Sequence, residues 1–121
     1  MSDDNNEVPF FTAVKVDQFP WPVKVPVPSK TEAGKYVYAC FTGVFKYLDQ
    51  AERDQLLASN LTDKELARKV LVGIEDLMGE DRKPVPSSPT LIEQVLSVDR
   101  AAPTVYGTYM AVMRGLAPTK N

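Results

Sequence analysis

With 121 residues, 44% hydrophobic and 25% charged side chains and a formal net charge of -2, the chain has the make-up of an ordinary globular protein with room for one core. No large positive field is present to hold a polyanion, so nucleic acid is not an expected partner. Histidine is absent, which excludes Ser-His-Asp and Cys-His catalysis and every His-containing metal site.

Met1 to Glu7 carry Asp3, Asp4 and Glu7 with no base and no apolar run, the reverse of a signal peptide's order. No segment approaches the roughly 20 apolar residues of a membrane span. A single cysteine, Cys40, cannot form an internal disulfide, so cytoplasmic folding away from any membrane is the expectation. The predicted layout is one domain over residues 1–121, with a disordered start over 1–9, a β part over 10–48 and a helical part over 49–117.

Five of the ten prolines fall between Pro9 and Pro28, which argues against helix there. Phe11, Ala13 and Lys15 alternate with Thr12, Val14 and Val16 as in a weak strand. Val23, Val25 and Val27 alternate with Lys24, Pro26 and Pro28 as in an extended strand, and its prolines place it at a sheet edge. Trp21, between Pro20 and Pro22, is either a core plug under the sheet or an exposed anchor at an interface. Beyond the polar turn Ser29 to Lys35, Val37, Ala39, Phe41 and Phe45 share one side of a strand. Tyr36, Tyr38, Cys40, Thr42 and Val44 share the other, and the two runs make an antiparallel hairpin. Cys40 is expected to be a buried small hydrophobe.

Helix grammar begins at Asp49, which with Glu52 forms a capping box for a helix to about Asn60. Thr62 with Glu65 repeats the device, and Leu66, Val70, Ile74 and Leu77 extend that helix to about Gly79. Residues 80–87 read as a solvated loop. Ser88 caps a helix with Pro89 at its first position and Leu91, Ile92, Val95 and Leu96 as its apolar stripe. A last helix starts near Pro103, with Val105, Tyr109, Val112 or Met113 and Leu116 inward, and ends at Gly115 and Pro118. The expected fold class is α+β, an N-terminal antiparallel hairpin or small sheet followed by about four α-helices.

Candidate chemistry is thin. Glu75, Asp76, Glu80 and Asp81 lie within seven positions, but the alternate oxygens and the glycine of a calcium loop are missing, and Arg82 and Lys83 adjoin them. A solvated helix end is the expected reading, and an enzyme working through these acids is the remote alternative. No glycine-rich phosphate cradle occurs. Asn60-Leu61-Thr62 fits the glycosylation pattern but reads as a helix junction. No catalytic residue, metal or cofactor is therefore expected. Met110 and Met113 stand beside Tyr106 and Tyr109 on the last helix, an adaptable apolar surface or, in the plainer reading, half a core stripe. These four, with Val23, Val25 and Val27 of the edge strand, form the expected protein-binding surface. Charge is polarised too: Arg100, Arg114 and Lys120 follow Asp99 without a further acid, opposite to the acidic start.

Several ordered patterns carry a resemblance. Val23-Lys24-Val25-Pro26-Val27-Pro28 precedes an aromatic strand, Phe41-Thr42-Gly43-Val44-Phe45-Lys46-Tyr47-Leu48, that runs into a helix carrying Glu52. Val70-Leu71-Val72-Gly73-Ile74-Glu75-Asp76-Leu77, a polar loop ending Lys83-Pro84-Val85-Pro86-Ser87-Ser88, and Leu91-Ile92-Glu93-Gln94-Val95-Leu96 follow. Over roughly residues 23–115 the chain resembles the phage tail assembly chaperones, departing where Ile74 replaces an expected tryptophan and Arg82 a turn glycine. The resemblance implies a non-catalytic protein that binds the tape-measure protein of a long-tailed phage or prophage in the bacterial cytoplasm, with the tail tube protein as a further candidate partner. It further implies self-association and absence from the finished virion. Some members have a frameshifted long form, and Thr119-Lys120-Asn121 can be encoded by a slippery adenine-rich run. A structural tail protein, such as a tube-end or connector subunit, is the alternative.

Overall fold

The computed structural model describes residues 7–115. In chain order the elements are α1 (Phe10–Ala13), β1 (Gln18–Pro28), β2 (Tyr36–Lys46), α2 (Gln50–Ala58), α3 (Asp63–Val70), β3 (Leu71–Glu75), α4 (Pro89–Leu96) and α5 (Ala101–Met113). The fold is α+β, with helices packed on one face of an antiparallel sheet of order β1-β2-β3. The expectations for residues 1–6, for Leu116 and Pro118, and for the final triplet lie outside the described residues.

The hairpin forms as its pattern predicts, but longer. β1 and β2 pair from Gln18 opposite Lys46 to Pro28 opposite Tyr36 without a break. The turn closes through Ser29 N–H on Lys35 O at 2.8 Å, while Ser29 Oγ accepts the amides of Thr31 and Glu32 and Gly34 takes φ 76°. Pro20, Pro22, Pro26 and Pro28 all occupy even positions of β1. An unbroken antiparallel ladder needs donors at every second residue, so the odd residues bond to β2 and the even ones face the open edge. That edge presents carbonyls along its length and four positions without an amide.

Two expectations are overturned. Residues 71–75 are a strand, not the second half of a long helix: α3 stops at Val70, and β3 pairs with β2 from Glu75 opposite Thr42 to Leu71 opposite Phe45, across a bulge. The helical spacing of Leu66, Val70 and Ile74 is real, but β2 has a second edge whose backbone groups need partners, and the β-branched run around Gly73 supplies them. Gly43 sits opposite Ile74, where an added Cβ would come within 2.8 Å of the Phe45 ring and 3.1 Å of Leu71. The weak strand expected at 11–16 is instead the single turn α1, which Pro9 starts by accepting the amides of Thr12 and Ala13.

Helix starts follow the sequence closely. Both capping boxes close, Asp49 with Glu52 and Thr62 with Glu65, and Ser88 Oγ accepts the Leu91 amide with Pro89 at the first helical position. α5 starts two residues earlier than expected, behind Arg100 at φ 73°.

The core is built of Val23, Val25, Phe41, Phe45, Leu71 and Ile74 from the sheet against Ala67, Val70, Leu91, Leu96, Val105 and Tyr109 from the helices. At its centre the Tyr109 ring packs on Phe45 and Phe19, with centroids 5.6 and 6.2 Å away, and its hydroxyl accepts the Leu48 amide at 3.1 Å. Tyr106 stacks on Tyr109 at 6.4 Å, yet its buried hydroxyl has no hydrogen-bond partner among the described residues.

Tyr109→Phe strands a buried amide and is expected to cost about 1–3 kcal/mol in urea unfolding. Tyr106→Phe removes an unpaired hydroxyl and should leave stability unchanged or raise it. Burial pushes both phenols above their ordinary pKa. Their contribution is therefore whole below about pH 10 and lost as pH rises through the raised values. Both variants should show a shallower alkaline loss of stability than the parent.

Candidate functional site

Most of the expected contact surface is core. Val23 and Val25 are 0% and 3% exposed, on the face of β1 that the helices cover. Tyr109 is fully buried and Tyr106 nearly so, while Met110 and Met113 are half-buried against the same core. Val27 lies on the covered face but farther along the hairpin and is half-buried. Apolar alternation identifies a face, and the helices, not a partner, occupy it. Strand addition at β1 is likewise blocked by its prolines. The other edge is closed at Ile74, whose amide donates to Ser87 Oγ at 3.0 Å.

Cys40 is the converse correction. It is exposed, because the even residues of β2 point away from the helices. Trp21 settles between its two readings, half-buried and packed on the core edge. Glu75 and Asp76 are exposed at the end of β3, where Asp76 adopts φ 58° and its carboxylate accepts the Thr42 hydroxyl at 2.8 Å.

What the fold leaves open is a groove of about 400 Å³ beneath the far half of the hairpin, lined by Val25, Ala39, Cys40, Phe41, Leu77, Met78, Val95, Val98 and Ala101. Three neighbours shape it. The hairpin runs past the helices, leaving Val37 55% exposed on their side of the sheet. The loop after β3 is closed by Val85 N–H on Leu77 O and Gly79 N–H on Lys83 O, both at 2.9 Å, and it holds Met78 out at 62% exposure. The turn between α4 and α5 presents Val98 at 52%. Arg100, next in that turn, lays its guanidinium over the Tyr36 ring at 5.6 Å and ties the hairpin to the helices.

α4, one wall of the groove, is clamped to α3 by Arg68, which donates to both carboxylate oxygens of Glu93 at 2.6 and 2.9 Å, with Lys64 3.8 Å away. The bonds from Arg68 hold the Glu93 carboxyl below its ordinary range and raise the guanidinium's pKa. A depressed carboxyl adds stability above the unfolded carboxylate range and loses it as pH falls through the folded value.

A second, shallower pocket of about 330 Å³ lies at the other end of α5, lined by Val16, Phe19, Pro20, Trp21, Tyr47, Arg53, Val112 and Met113. Met113 is the one member of the expected surface found here. Both recesses are lined mainly by apolar side chains, and among the described residues no three His, Cys, Asp or Glu side chains converge as metal ligands. No described helix is long and apolar enough to cross a membrane. Neither Met78 nor Val98 carries a periodic signal in the sequence, since both sit in loops.

The chain matches no protein-family model, no curated protein and no solved structure.

Val23→Ala and Val25→Ala should each cost roughly 2 kcal/mol, two buried methyl groups apiece, whereas Met78→Ala and Val98→Ala should stay within about 0.5 kcal/mol, all by urea titration. Arg68→Met is expected to lower the melting temperature at neutral pH, with the gap to the parent narrowing as the solution is acidified.

Proposed function

We propose that the protein is a tail assembly chaperone of a phage or prophage, acting by protein binding in the bacterial cytoplasm, and that the groove under the hairpin receives the tape-measure protein. The observation that carries the reading is the apolar groove with Met78 and Val98 exposed on its rim, on a chain whose motifs resemble that family. Side chains left in water at the mouth of such a groove suit an amphipathic helix, which inserts anchors every three or four residues. Methionine on the rim tolerates anchors of different shape, as a long partner with varied sequence requires. Many copies along one partner add their weak contacts, so each site need not bind tightly.

The test is co-expression with the tape-measure protein. The partner should become soluble and co-purify, and the chain should be missing from purified virions. Met78→Asp and Val98→Asp should lower capture at least tenfold, about 1.4 kcal/mol, without shifting the melting temperature. Recovery of the chain from intact particles would instead make it a structural tail subunit.

A further inference from the structure

The most exposed large apolar side chains of the described chain lie in its N-terminal arm. Phe10 and Phe11 are 70% and 76% exposed, with Val8 and Val14 above half. The two rings touch each other edge to face at 5.1 Å. Each phenylalanine left in water forgoes the gain of burial, and a contiguous patch of this kind marks a contact surface.

The arm joins the body at Asp17, whose carbonyl accepts the Tyr47 amide at 2.8 Å. Directly beside that root lies the pocket of about 330 Å³ walled by Phe19, Trp21, Tyr47 and Met113. An apolar cavity of about 150 Å³ holds one benzene, so this pocket has room for two rings. Aromatic and thioether walls suit them. The arm's turn is closed by the bonds of Thr12 and Ala13 to Pro9 and of Val14 to Phe10, and it holds the rings clear of their own pocket.

Charge selects the occupant. Asp3, Asp4 and Glu7 precede the two rings in sequence, whereas Arg53 stands in the pocket wall and exposed Arg114 follows Met113. An acidic arm and a basic pocket attract each other, and with the turn holding the rings clear of their own pocket that attraction is met across two chains. Because arm and pocket share a root, a two-fold axis there would satisfy both pairs at once. We propose that the N-terminal arm of one copy docks Phe10 and Phe11 into the Phe19–Trp21–Met113 pocket of a second copy and receives that copy's arm in return. This rests on the arm and pocket alone, and holds or fails apart from tape-measure binding.

Trp21, the single tryptophan, reports on the pocket. Sedimentation and Trp21 emission are followed over a concentration series of the full chain. A monomer–dimer equilibrium is expected, with emission moving to the blue at the same midpoint. The double substitution F10S/F11S should shift that midpoint at least tenfold to higher concentration while leaving the melting temperature of the monomer unchanged. Met113→Glu, which meets the acidic arm with a like charge, should do the same, and added salt should weaken the parent dimer. A chain that stays monomeric throughout the series would overturn the proposal. So would a dimer indifferent to F10S/F11S. An emission shift that needs Phe10 and Phe11 but not concentration would place the arm in its own pocket and equally overturn the exchange.

Discussion

The amide of Leu48 belongs to neither of the regular structures it joins. β2 ends at Lys46 and α2 begins at Gln50, so no ladder or helix bond claims this N–H, and the Tyr109 hydroxyl from 61 residues away accepts it. The bond fixes where α5 crosses the sheet, and the stack of Phe19, Phe45 and Tyr109 gives that crossing its bulk. Placement of α5 then places both recesses. Its first residue, Ala101, lies in the wall of the groove under the hairpin, and Met113 at its last turn lies in the wall of the aromatic pocket. One buried polar contact therefore governs two surfaces at the two ends of α5.

Strain is spent near the groove in a related way. Arg100 stands in the left-handed region that costs a non-glycine residue roughly 1–2 kcal/mol, and the contact of its guanidinium with Tyr36 returns part of that cost. Asp76 occupies the same region at the end of β3, where a short polar side chain tolerates it and Thr42 holds the carboxylate. Both residues turn the chain sharply at the ends of elements that line or support the groove. The result is a recess walled by strands and helices whose rim is set by turns held by side chains.

Local chemistry was legible in the sequence, as was the pairing of β1 with β2, and the pairing of β3 was not. Asp49, Thr62 and Ser88 each satisfy amides within three residues, so their helices start where the letters say. Prolines on alternate positions announced an edge strand for the same reason. β3 failed because Leu66, Val70, Ile74 and Leu77 fit a helix as well as the actual arrangement, and only the unsatisfied edge of β2 decides between them. Site residues failed on a different point. Val23, Val25, Tyr106 and Tyr109 were apolar and ordered enough to suggest a surface, yet apolarity cannot distinguish a face covered by the chain itself from one awaiting a partner. Phe10 and Phe11, the most exposed aromatics, lie just before and at the start of a segment whose alternation predicts only a weak strand.

The open side of β1 has acceptors along its length and amides withheld at four of its positions. Such an edge has a one-sided valence: a foreign strand laid along it would keep too many of its own donors and too few of its acceptors matched for a ladder to grow. Crowding therefore cannot turn this sheet into a seed for fibrils at that side, however many copies accumulate. Copy number can rise without the usual hazard of an exposed strand, and association is left to the side chains, which unlike a backbone ladder can discriminate between partners.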